Sequence, residues 1–164
     1  MAVHGPTRST DLPFVDEHVV VVAAGADAVW TTLLESVDRA FSGPAAERYV
    51  RLVGGRPSAP AGPRPLVAGA ALAGFAVVEA QEPAALVLEG RHRFSDYRLS
   101  FRLEVVGPGT TRLRAETRAA FPGLGGAAYR ALVIGSRGHR LGLRRLLSGI
   151  RRDAEDRGVA PAPG

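Results

Sequence analysis

The chain has 164 residues, 12 Pro and 20 Gly among them, enough for one domain with a sizeable core and too few for two comfortable ones. All 21 basic residues are Arg, with no Lys and no Cys anywhere, which excludes Schiff-base chemistry through lysine, a lysine-bearing phosphate loop, thiol nucleophiles, disulfides and Cys-ligated zinc. The net charge of +5 is uneven: six Arg face nine acids over residues 1–82, and 15 Arg face seven acids over residues 83–164, so an anionic partner has to be weighed against plain solvation of arginine.

Residues 1–13 hold no apolar stretch that could serve as a secretory core and read as a flexible leader. Residues 14–24 (FVDEHVVVVAA) are rich in β-branched side chains and predict a first strand. Residues 27–41 follow at helical period, with Val29, Leu33, Leu34, Val37 and Phe41 on one stripe and Glu35, Asp38 and Arg39 on the other side. Ser42-Gly43-Pro44 stops this helix, and Pro44 opens a second short one over residues 45–53. Residues 56–65 carry four prolines and are expected to be a mobile, irregular connection. The longest uncharged apolar run, residues 66–78, falls short of the roughly 18 needed to span a bilayer. With no membrane span or targeting segment read from the chain, a soluble cytoplasmic protein is expected.

From residue 66 the period changes to two, as in an antiparallel meander. Strands are predicted over 74–81, 86–94, 97–106 and 111–121, with a further one over 66–72. Glu82-Pro83 breaks the first pair, Ser95-Asp96 reads as a two-residue hairpin loop and residues 107–110 as the last turn. Leu86, Leu88, Gly90, His92 and Phe94 then share one face, and Val87, Glu89, Arg91 and Arg93 the other. That hairpin would set Phe94 opposite Tyr97, His92 opposite Leu99 and Gly90 opposite Phe101. Matching charges in the next hairpin gives Glu104 opposite Arg114 and a Glu89–Arg102–Glu116 row on the outer face, with Arg102 turned away from Phe101. After a Gly-rich bend (residues 123–126) that reads as a flexible gate, residues 127–157 predict one long helix. Its apolar face carries Tyr129, Leu132, Ser136, His139, Leu143 and Leu146; most of its arginines lie on or beside the other face. Four glycines weaken this helix, so close packing or a need for space must hold it. Residues 158–164 (GVAPAPG) are expected to fray, leaving 14–157 as the single domain.

A β–α–α start, an antiparallel meander and a long C-terminal helix is the order of an α+β helix-grip fold. Residues 19–30 (VVVVAAGADAVW), 90–94 (GRHRF), 111–121 (TRLRAETRAAF) and 129–139 (YRALVIGSRGH) resemble the START-like, polyketide cyclase/dehydrase (SRPBCC) superfamily, in an uncharacterised bacterial branch, over about residues 14–155. The resemblance implies a curved sheet gripping the last helix around a mostly apolar cavity that binds lipids, steroids, polyketides or similar molecules, and in some members cyclises or aromatises polyketide chains. One departure is Gly25 where the family usually has Pro, a change that touches the helix cap.

The ligand-binding residues expected from this reading are Leu88, Gly90, His92, Tyr97, Leu99, Phe101, Thr117, Leu132, Ser136, His139 and Leu143, with Gly90 leaving room beside His92. Each histidine could simply be a packed side chain bonded to its surroundings. If both face the cavity, His92 and His139 are the candidate catalytic pair for a proton transfer beside a carbonyl. Glu89, Glu104 and Glu116 fall on the outer face and Asp96 in the turn, so no carboxylate is expected to orient either imidazole. Neither a Ser–His–Asp triad nor metal-ligand spacing is evident, and no cofactor is expected. The aromatic residues lie on the face opposite the strand arginines, which ranks nucleic acid below a small apolar ligand. Three readings follow: a binder of an apolar small molecule, a cyclase-, aromatase- or hydratase-like enzyme, and an Arg-rich surface that docks an anionic partner or membrane.

Overall fold

The computed structural model describes residues 12–133 and 138–159, apart from the side chains of Leu132, Val133 and Val159. Strand β1 (Phe14–Val22) leads into α1 (Ala26–Phe41) and α2 (Pro44–Leu52); then come β2 (Ala71–Leu72), β3 (Phe75–Gln81), β4 (Ala85–His92), β5 (Ser95–Gly107), β6 (Thr110–Ala120), α3 (Gly123–Val133) and α4 (Gly138–Val159). The six strands form one curved antiparallel sheet in the order β1-β6-β5-β4-β3-β2, with the long α4 packed on α1 and β1.

Each boundary has a local cause. The β-branched run of β1 favours extended backbone. Helix α1 carries Asp27 in its first turn and Arg39 in its last, each matched to the helix dipole, and buries Val29, Trp30, Leu33, Leu34 and Val37. Pro44 sits in the first turn of α2, where its missing N–H costs nothing. Gly54 ends that helix at a positive φ of 69°. The core joins α1 to Leu72, Leu86, Leu88, Phe101 and Leu113 of the sheet and to Leu147, Ile150 and Ala154 of α4.

Several expectations are corrected. Leu12, read as leader, is buried, and the carbonyl of the exposed Pro13 accepts a hydrogen bond from the Ala119 N–H at 2.9 Å. The Pro-rich connection is stapled by Arg64, whose guanidinium donates to Asp38 at 2.9 Å and to the carbonyls of Ala61 and Ala71, each at 3.1 Å. The expected strand over 66–72 shrinks to the two residues of β2. Residues 123–126, expected to be a gate, form the first turn of α3, and the helix expected over 127–157 is found over 127–133 and 138–157, with 134–137 outside the described residues. Helix α4 reaches Val159, two residues into the stretch read as tail.

Both hairpin registers also differ from expectation. In β4–β5, Gly90 faces Tyr97 and His92 faces Ser95, so Arg93-Phe94 is the loop and Asp96 is a strand residue that accepts a hydrogen bond from Arg91 at 2.9 Å. A Cβ on Gly90 would lie 1.9 Å from the Gly74 carbonyl oxygen and 2.4 Å from the Tyr97 ring, so the room beside Gly90 is already filled, by Tyr97 and the Gly74 backbone. In β5–β6, Arg102 faces Arg114 and Glu104 faces Arg112, and the Glu89–Arg102–Glu116 row does not form. The Arg114 charge is met instead by Glu17 from β1 at 3.1 Å. Both displacements move the pairing partner by an even number of residues, so the side chains that stay in the strands keep their predicted faces. Arg102 is exposed and Phe101 fully buried. On the outer face Arg98 pairs with Glu89 at 3.1 Å and Arg112 with Glu104 at 2.7 Å, which neutralises part of the arginine surface.

Candidate functional site

The inward rows of the sheet are packed solid at one end and open at the other. On β5, Phe101 is fully buried, but Leu99 and Tyr97 border a cavity of about 600 Å³. On β6 the packed Leu113 and Ala115 give way to Thr117, Ala119 and, just beyond the strand, Phe121; on α4, Leu147 and Ile150 give way to Leu146, Leu143, Gly142 and His139. Phe41 of α1, Tyr49 and Val50 of α2 and Tyr129 of α3 close the remaining walls. A Cβ on Gly142 would meet no atom within 4 Å, so one of the glycines that weaken the helix borders open space.

One wall is a continuous belt of rings. Phe41 meets Phe75 edge-on at 4.9 Å between centroids, Phe75 meets Tyr97 at 5.1 Å, and Tyr97 lies 5.3 Å from His92. His92 in turn meets Tyr129 at 4.7 Å, and Tyr129 stacks on Phe94 at 5.5 Å. Offset and edge-to-face contacts of this kind add to the burial of the rings. The polar tips are tied down: the Tyr97 hydroxyl donates to the Gly74 carbonyl at 2.7 Å, and the Tyr49 and Tyr129 hydroxyls bond each other. Burial pushes both the Tyr97 and the Tyr129 phenol well above the usual range, with Tyr49 adding to each shift, so both stay protonated at neutral pH. His92 Nδ1 accepts the Phe94 backbone N–H at 3.1 Å. In the neutral ring the proton is therefore on Nε2, and burial holds the group below its ordinary value, against a weaker opposing pull from Asp96.

A second polar group lies where β1, β6 and α4 meet. Asp16 and His18 alternate inward with Val20 and Val22, and Asp16 is paired in register with Thr117. Among the described residues, the buried side-chain polar atoms with no hydrogen-bond partner are both carboxylate oxygens of Asp16 and Nε2 of His18. His18 Nε2 is 3.5 Å from Asp16 Oδ2, His139 Nε2 is 3.6 Å from Oδ1, and Arg140 Nε is 4.0 Å from Oδ2. These spacings are beyond good hydrogen bonds, and of the three neighbours Arg140 is the one that carries a fixed positive charge. His139 Nε2 is also 3.3 Å from Thr117 Oγ1.

Of the residues expected to bind a ligand, His92, Tyr97, Leu99, Thr117, His139 and Leu143 border the cavity. Leu88 and Phe101 do not: both are fully buried in the packed core. Gly90 offers no free space, Ser136 lies outside the described residues, and so does the side chain of Leu132. The expectation that no carboxylate reaches either imidazole is overturned by Asp16. Its signal was legible, since period two counted back from Val22 turns Asp16 and His18 inward. Tyr49 was missed because nothing local to α2 shows that it meets Tyr129. Among the described residues no group of three or more His, Asp or Glu is placed to hold a metal ion, and no helix is long and apolar enough to cross a membrane.

No family model and no curated protein matches this sequence. Solved structures do match in fold. CalU16 from Micromonospora echinospora aligns with a TM-score of 0.51 at 20% identity, over 87% of this chain and 82% of its own. A protein from Chromobacterium violaceum aligns with a TM-score of 0.53 at 10% identity, over 85% and 96%. Norcoclaurine synthase from Thalictrum flavum aligns with a TM-score of 0.50 at 13% identity, over 93% and 92%. With the element order, the curved sheet and the gripped helix in place, the chain has the helix-grip fold that these structures share.

Proposed function

We propose that this protein binds a small, mostly apolar, ring-containing molecule in the cavity between the sheet and α4. The observation that carries this reading is the cavity itself: about 600 Å³, walled by aliphatic chains and a belt of aromatic rings whose polar tips are already bonded. That volume is in the range of small-molecule sites, and a few fixed polar groups in an apolar wall is how such sites orient a ligand. The same fold in norcoclaurine synthase is described in complex with dopamine and hydroxybenzaldehyde, which supports an aromatic occupant. The outer arginines support a docking surface less well, because several are matched to glutamates on the sheet.

Nile red fluorescence tests the reading. The dye should brighten and shift to the blue with the native protein and be displaced by a bicyclic aromatic such as 2-naphthol. Ala119→Phe, which adds a ring to the cavity wall, should abolish both effects in a protein that still melts cooperatively. Equal brightening by the filled variant would place the dye elsewhere and sink the proposal.

A further inference from the structure

On the outer sheet face Arg98, Arg112, Arg114 and Arg118 each meet a glutamate within 3.1 Å. A rim made by the end of α2, residues 53–56, the Arg93-Phe94 loop and α3 differs. Its parts touch: the Arg56 N–H donates to the Arg91 carbonyl at 2.8 Å, the Arg93 N–H to the Val53 carbonyl at 3.1 Å, Phe94 stacks on Tyr129 at 5.5 Å, and the Tyr49 and Tyr129 hydroxyls bond each other. On this rim Arg51 is taken up by Glu47 and Arg91 by Asp96, whereas Arg48, Arg56, Arg93 and Arg130 are exposed and make no ion pair among the described residues. The rim also carries the two most exposed large apolar side chains among the described residues, Leu52 at 79% and Leu124 at 92%. Leu124 heads a stripe on α3 with Ala127, Ala128 and Ala131 at helical spacing, and every member is exposed. Tyr49 lines the cavity and is 48% exposed, so the cavity wall reaches the surface beside this stripe.

We propose that this rim docks the protein on an anionic lipid bilayer, with Leu52, Leu124 and the α3 stripe entering the headgroup layer and Arg48, Arg56, Arg93 and Arg130 against the lipid phosphates. Leucines left this far in water gain free energy at the acyl boundary of a bilayer, and arginines flanking an apolar stripe are the pattern of a helix that lies in an interface. Anionic headgroups supply the negative charge that the rim lacks, and each arginine adds to the attraction. A second copy of the chain fits worse, because a two-fold contact through this face would set four unpaired arginines against the same four. Nucleic acid fits worse as well: it offers leucine no apolar phase, and Phe94 and Tyr129, the rings that would stack on bases, are stacked on each other. Docking at the rim brings the cavity wall at Tyr49 to the bilayer, so an apolar occupant would enter without crossing water. The docking itself holds whether or not the cavity takes a ligand.

Co-sedimentation with vesicles tests the surface. The native protein should partition at least about tenfold better onto vesicles of equal parts phosphatidylglycerol and phosphatidylcholine than onto phosphatidylcholine alone, and should lose that preference in about 1 M salt, where the Debye length is about 3 Å. Arg93→Gln with Arg130→Gln should lower the binding about tenfold or more. Arg151→Gln with Arg152→Gln, the same loss of charge at exposed positions on α4, should lower it less than about threefold. Leu52→Ser with Leu124→Ser should lower it about tenfold. The indole introduced by Leu124→Trp should be quenched by lipids brominated in their acyl chains, whereas the buried Trp30 of the native protein should not. No binding to the anionic vesicles at low salt, equal losses in the two arginine pairs, or no quenching in Leu124→Trp would overturn the proposal. So would a dimer, or retention of duplex DNA, that depends on the rim residues while vesicles stay unbound. Nile red uptake, measured without vesicles, keeps this surface apart from the cavity: every rim variant should melt cooperatively and take up the dye as the native protein does, so a failure of docking leaves the cavity reading standing, and a cavity that takes no dye leaves the docking surface standing.

Discussion

The two halves of the helix–sheet interface are built from the same strands and the same helix, yet one half is full and the other is open. In the full half, Phe101, Leu113, Leu147 and Ile150 are fully buried in the core cluster. In the open half, Leu99, Thr117, Ala119 and Leu143 continue the same inward rows and border the cavity. The difference is one of side-chain volume and helix composition. Ala119 and Gly142 supply little bulk where Phe101 and Leu147 supply much, so the full half provides stability and the open half provides a site.

The largest effect should come from the full half. Phe101→Ala should cost about 4 kcal/mol in urea unfolding, since it loses burial and leaves an enclosed void. Leu143→Ala, beside space that already exists, should cost about half as much because no new enclosed void forms. Equal losses at the two positions would erase the distinction between the halves. Gly90→Ala should cost about 3 kcal/mol, because the new methyl meets the Gly74 carbonyl and the Tyr97 ring in the wall of the open half. Tyr97→Phe, which removes only the hydroxyl bonded to Gly74, should cost about 1 kcal/mol and leave dye binding intact.

The smallest effect is a pH dependence confined to the open half. Burial lowers the His92 pKa from its ordinary 6.5, so below that value the unfolded chain binds a proton that the folded one resists. The stability due to neutral His92 is complete above pH 6.5 and is lost as the pH falls toward the lowered folded value. The urea midpoint should therefore drop more between pH 7.5 and pH 5.5 in the native protein than in His92→Gln. Identical drops in the two proteins would mean that the ring is not held neutral by its surroundings.

Much of the fold was legible from period and punctuation. Alternation on β4 turned Leu86 and Leu88 inward, and the 3–4 spacing of α1 named Val29, Leu33, Leu34 and Val37 as its buried stripe; both are found. Strand register was not legible. Ser95-Asp96 has turn composition, but the hairpin turns at Arg93-Phe94, because the Tyr97 ring fits only over a residue without a side chain and Gly90 is that residue. The site was legible in part. His92 and His139 stand out as polar residues on apolar faces, whereas the place of Asp16 beside His139 depends on β1 lying beside β6, a pairing of chain segments about a hundred residues apart.

The sequence by itself determined which face each side chain would take, because periods of two and 3.6 are properties of the local backbone and survive an even slip of register. Only the tertiary structure decided which inward positions would be filled and which left open, and which carboxylate would meet which imidazole. Those outcomes depend on where α4 lies against a curved sheet and on which distant strands pair, and no local pattern carries that distance.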